Sequence, residues 1–74
     1  MAMLKGDTTA LPDGWEVGAG NWATRPATAA EMAAKRNLTD IVDRTFAIRA
    51  CIIDGKLCVR DAETARRFDE RAQA

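Results

Sequence analysis

The chain reads as a small single α+β domain, in the order helix, helix, β-hairpin, helix, behind an irregular arm that carries both tryptophans. Three features predict this. Thr28-Ala29-Ala30-Glu31 is a capping box placed just after Pro26, and it starts a helix. After Phe46 the apolar period switches to two and runs into Asp54-Gly55, a dipeptide suited to the positive φ values of a type I′ hairpin turn. Asp61 then caps a last helical pattern that continues to the carboxyl end. The division is an arm over 1–27 and an α-α-β-β-α domain over 28–74.

The arm is punctuated by Gly6, Pro12, Gly14, Gly18, Gly20 and Pro26, which leaves room for at most a short extended pair. Trp15-Glu16-Val17 and Asn21-Trp22-Ala23 flank Gly18-Ala19-Gly20 and would bring the two indoles close. They either cover the core or anchor a partner. The first helix, to about Arg36, offers Ala29, Met32 and Ala33 as its packing face. Asn37 or Thr39 caps a second helix with Leu38, Ile41, Val42 and Thr45 inward and Asp40, Asp43 and Arg44 outward, Asp40 and Arg44 being an i, i+4 pair. One helix running through Asn37 is the other reading.

With a two-residue turn, the hairpin sets Ile53 opposite Lys56, Ile52 opposite Leu57, Cys51 opposite Cys58 and Ala50 opposite Val59. One face then carries Ile48, Ala50, Ile52, Leu57 and Val59; the other carries Arg49, Cys51, Ile53, Lys56, Cys58 and Arg60. The last helix has Ala62, Ala65, Phe68 and Ala72 as its buried stripe and Glu63–Arg67 as a surface pair.

Of 74 residues 47% are hydrophobic, but 15 are alanine and only 18 are large apolar groups other than cysteine. So thin a core predicts assembly, with a second copy or with a protein partner. The chain has no His, Ser or Tyr, which removes the usual general base, hydroxyl nucleophile and imidazole ligand. Cys51 and Cys58 are too few and too widely spaced for a zinc site and are expected as free thiols. An enzyme, a metal and a cofactor are therefore not expected. No apolar run suggests a signal or membrane segment, so a soluble cytoplasmic protein is expected. Eleven basic residues balance eleven acidic ones, which argues against affinity built on phosphate neutralisation. Arginine and alanine richness fits a GC-rich bacterial or phage genome.

From Thr28 to about Arg71 the element order resembles the small winged-helix domains of excisionases and of the amino-terminal part of mercury-resistance-type regulators. That resemblance implies a reader helix over Thr39–Thr45 and a wing tip at Asp54-Gly55-Lys56. The chain departs from the pattern by placing Asp40 and Asp43 beside Arg44 on the reader's outward face. The favoured expectation is a small non-enzymatic protein-binding module, a phage or mobile-element factor that inhibits or modulates a host protein complex. Its partner-binding candidates are Trp15, Trp22, Asp40, Asp43 and Arg44. The alternative is a winged-helix, excisionase-like DNA-binding regulator acting through Lys35, Arg36, Arg44, Arg49, Lys56 and Arg60. A small structural subunit of a larger assembly is the third reading.

Overall fold

In the computed structural model, which describes residues 10–73, Asp54 and Gly55 take φ values of 53° and 77° and close the hairpin. Both lie in the left-handed region that the type I′ turn demands. Strands β3 (Ala50–Ile53) and β4 (Lys56–Val59) pair in the register the turn dictates, Ile53 with Lys56 through Ala50 with Val59.

The arm departs from expectation. The short pair is present as β1 (Glu16–Val17) and β2 (Ala23–Pro26), joined by a 3-10 turn over Ala19–Asn21 in which Gly20 and Asn21 both have positive φ. Its second strand then goes further and pairs antiparallel with β4, so the sheet order is β1-β2-β4-β3. Residues expected in an irregular arm thus form an inner strand. Pro26 fits at its end because Ala27 resumes the ladder, its N–H donating to Gly55 O at 3.0 Å.

Three helices lie against one face of this sheet: α1 (Ala29–Ala33), α2 (Arg44–Ala47) and α3 (Ala62–Gln73). Strand alternation puts Ala23, Arg25, Leu57 and Val59 on that face. Ala23, Leu57 and Val59 are fully buried there in one cluster with Trp15, Leu38, Val42, Phe46, Ala47, Ala65 and Phe68, while Ala50 and Ile52 pack against its edge. The predicted caps of the first and last helices are present. Thr28 and Glu31 form the capping box, and Asp61 Oδ1 accepts from Thr64 N–H at 2.8 Å and Thr64 Oγ1–H at 2.6 Å.

Several expectations are corrected. The second helix is broken into a 3-10 turn over Leu38–Asp40 and the four residues of α2. Asp43 is the cause: extended at φ −68°, ψ 165°, it accepts from Phe46 N–H and caps α2 instead of continuing a helix. Thr45 is exposed, and Phe46 and Ala47 take the buried places. In α1 the packing residue is Glu31, while Ala29, Met32 and Ala33 face outward. Ile48 lies at the C-cap of α2, 75% exposed, and Ala72 is exposed in the last turn of α3. Among the described residues the ion pairs are Arg25–Glu31, Arg25–Asp69 and Arg49–Asp61, so neither Asp40–Arg44 nor Glu63–Arg67 forms. Arg67 instead lies over the Phe46 ring, 4.9 Å from its centroid, and Arg71 Nε–H donates to Ile41 O at 2.7 Å.

Arg25 holds the two layers together. From the core-facing side of β2 it makes a bidentate pair with Glu31, Nη1 to Oε1 and Nη2 to Oε2, both at 2.7 Å. Its Nε–H donates to Asp69 Oδ1 on α3 at 2.9 Å, and Nη1 also reaches Pro26 O at 3.0 Å. Asp69 Oδ2 in turn accepts from Trp15 Nε1–H at 2.9 Å, and the Trp15 ring lies 4.9 Å from the Arg25 guanidinium. One guanidinium therefore joins β2, α1, α3 and the entry to β1. No buried side-chain nitrogen or oxygen among the described residues lacks a partner, as a network in a low-dielectric interior requires.

Burial works to raise the Glu31 carboxyl, but the hydrogen bonds from Arg25 and Thr28 and the charge of Arg25 outweigh it and hold the group below its ordinary value. Burial likewise opposes the charge on Arg25, and Glu31 and Asp69 overcome it to raise the guanidinium. A carboxyl depressed in the folded state contributes stability above its unfolded pKa of about 4.3 and loses it as pH falls through the folded value. Denaturant unfolding measured from neutral to acid pH is expected to show stability falling below about pH 4. Glu31→Gln is expected to be weaker by about 3 kcal/mol at neutral pH and to show a shallower acid limb.

Candidate docking surface on the sheet

The alternation that buries Leu57 and Val59 turns Lys56, Cys58 and Arg60 to the opposite side of the sheet, and none of that side's residues belongs to the core cluster. Cross-strand register sets out this side in rows. Pro26, Lys56 and Ile53 form one; Glu16, Thr24, Cys58 and Cys51 form the next. Beyond them Trp22 meets Arg60, whose guanidinium lies 5.3 Å from the indole centroid. Trp22 is half-buried, Lys56 and Arg60 are exposed, and Ile53 is 56% exposed. The surface is aromatic and apolar with a local excess of cations, Glu16 being its one acid among the described residues.

The cysteines sit side by side in the middle as free thiols. Burial, then the neighbouring Cys51, push the Cys58 thiol above its ordinary value, and its Sγ–H donates weakly to Lys56 O at 3.8 Å. Protonated and buried, Cys58 is a poor nucleophile.

The partner-binding residues expected from sequence are dispersed. Trp15 is in the core, 8% exposed and hydrogen-bonded to Asp69, so it takes the core-covering role. Trp22 lies on the helix-free face. Asp40 accepts from Asn37 Nδ2–H, Asp43 caps α2, and Arg44 is exposed at the start of α2. These three belong to the helical layer, away from Trp22.

The residues of the DNA-binding alternative are also divided. Lys35 and Arg36 are exposed in the turn after α1, and Arg44 lies in the helical layer. Arg49 pairs with Asp61 at 3.4 Å and approaches the Phe46 ring. Only Lys56 and Arg60 share the open face. A four-residue α2 capped by Asp43 is too short to serve as a major-groove reader.

Sequence reasoning missed Arg25 and Asp69, and it missed that Thr24 and Glu16 join the cysteine row. A shallow depression of about 300 Å³ between the arm and α3 is lined by Ala10, Pro12, Arg66, Asp69, Glu70 and Gln73. Of its two carboxylates, Asp69 is already engaged by Arg25 and Trp15. Among the described residues no three His, Cys, Asp or Glu side chains gather to hold a metal ion, and no helix is long and apolar enough to cross a membrane.

The two tryptophans should separate in thermal melts. Trp15→Ala is expected to cost about 3–5 kcal/mol by opening the core. Trp22→Ala is expected to cost about 1 kcal/mol, the scale of its contact with Arg60. No protein-family model, curated protein or solved structure matches the chain.

Proposed function

We propose that the chain is a small non-enzymatic protein-binding module, and that the helix-free face of its sheet meets an acidic, partly apolar segment of another protein. The observation that carries this reading is the half-buried Trp22 under Arg60, in one surface with Lys56 and the exposed Ile53. Tryptophan and arginine dominate the energetics of protein interfaces, and Trp22 stands outside the core cluster. Such a module fits the size and composition of a factor that modulates a host protein complex.

A single strand of nucleic acid is the other ligand a basic, aromatic sheet face suggests. The guanidinium of Arg60 already covers the Trp22 ring, Pro26 and Ile53 interrupt the cations, and the whole chain carries no net charge. These features favour a protein partner.

The test is co-purification of the tagged full chain from bacterial lysate beside folded surface variants. A stoichiometric partner should be retained by the wild type and by Arg44→Ala, and lost by Trp22→Ala and by Arg60→Glu. Retention by all three variants would remove the sheet face from the reading. Binding to single-stranded or duplex DNA that weakens steeply with salt would replace the protein reading with the nucleic-acid one.

A further inference from the structure

We propose that the chain forms a symmetric homodimer through the free edge of its sheet, β3 of one copy pairing antiparallel with β3 of a second copy about a two-fold axis at Cys51. This inference needs only the chain itself and stands apart from the partner reading above.

The two edges of the sheet differ. β1 has two residues and is blunted by its shortness. β3 presents Ala50-Cys51-Ile52-Ile53, four residues with no charge, no proline and an unbroken register. That is an unprotected edge.

Register fixes which backbone groups are free. The hairpin turn makes Ile53 and Lys56 a hydrogen-bonded pair. At the other end Arg60 N–H donates to Arg49 O at 3.0 Å. The odd-numbered residues of β3 therefore bond β4, and Ala50 and Ile52 direct their N–H and C=O groups outward. No turn, loop or cap among the described residues bonds to either.

Those outward groups are complementary to themselves. With the axis at Cys51, Ala50 faces Ile52 of the second copy twice, closing four hydrogen bonds. An axis at Ala50 would set Ile52 against Ile48, which is helical at φ −69°, ψ −10° and cannot extend the ladder, its N–H already bonded to Arg44 O at 3.2 Å. An axis at Ile52 would set Ala50 against Asp54, which is in the turn at φ 53°. Each of these arrangements closes only two bonds.

Charge favours a second copy over a foreign strand. The charged residues flanking β3 are Arg49 and Asp54, opposite in sign, and the antiparallel two-fold brings each to the end of the strand occupied by the other. An interface of two four-residue edges falls below the ~1,200 Å² of a standard interface, so the dimer is weak and depends on concentration.

Cys51 provides a reporter. On the axis it forms a non-hydrogen-bonded pair with its own copy, Cα atoms about 4.5 Å apart, inside the ~4.4–6.8 Å range of disulfides. Diamide should therefore link two copies: two Cys51 thiols give two protons and two electrons to the diazene, one S–S bond forms, and the reagent leaves as its hydrazine.

The experiment is sedimentation of the full chain in reductant, joined to amide exchange at low and high protein concentration. The mass is expected to move from monomer toward twice that value, and exchange at Ala50 and Ile52 to slow over the same range while Cys51 and Ile53 stay unchanged. Diamide should yield covalent dimer from Cys58→Ser and none from Cys51→Ser. Cys51→Lys, which places like charges on the axis, should remain monomeric. A monomer at every concentration with unchanged Ala50 and Ile52 exchange would overturn the proposal, and so would a dimer that survives in folded Cys51→Lys. Should that variant fail to fold, the exchange measurement on the wild type decides.

Discussion

The buried guanidinium of Arg25 is the constraint on which the rest of the structure depends. A charged group with its side chain about 10% exposed is tolerable only where its donors are met, and Glu31, Asp69 and Pro26 O meet them from α1, α3 and the strand itself. Each partner is thereby held in place. Glu31 turns the first turn of α1 toward the sheet, although its apolar neighbours Met32 and Ala33 would otherwise supply the packing face. Asp69 fixes α3 across the strands and, by receiving Trp15 Nε1–H, draws the indole under the entry to β1. A core short of large apolar side chains is thus given its geometry by an ionic network. Such networks secure specificity of arrangement more reliably than net stability.

What was legible in the sequence is local. Asp54-Gly55 determines its own turn and, through it, every pair of β3 and β4. Thr28 with Glu31, and Asp61 with Thr64, are caps complete within four residues. The inner strand β2 was not legible, because its core-facing residues are Ala23 and Arg25 and an alanine alternating with an arginine carries no apolar period. The predicted second helix had the right spacing at Leu38, Ile41 and Val42. Asn37, Thr39 and Asp43 nevertheless bond locally and offer the backbone an alternative to the helix. The docking face shows the same division. Lys56, Cys58, Arg60, Cys51 and Ile53 follow from hairpin alternation, whereas Trp22 and Thr24 reach that face only through the distant pairing of β2 with β4.

The network on one side of the sheet also sets which side chains the other side carries. With all three helices gathered over Arg25, Leu57 and Val59, the side chains of the reverse face stay outside the core cluster. The sequence order β3-β4 against the spatial order β2-β4-β3 leaves the apolar hairpin strand at an edge instead of in the interior. A self-paired β3 would place two helix-free faces in one continuous sheet and present Trp22 and Arg60 in duplicate. Such a surface would gain affinity for a repeated or extended partner through multivalency.

Arg25 and Glu31 act as a unit in joining the arm to the helices. A double-mutant cycle on their replacement by methionine, read by equilibrium denaturation, tests this most directly. Arg25→Met and Glu31→Met should each destabilise by about 3–5 kcal/mol by stranding the other charge, and the double variant should recover much of that loss. Additive losses, with the double variant as unstable as the two singles combined, would show that the two charges do not act as a unit.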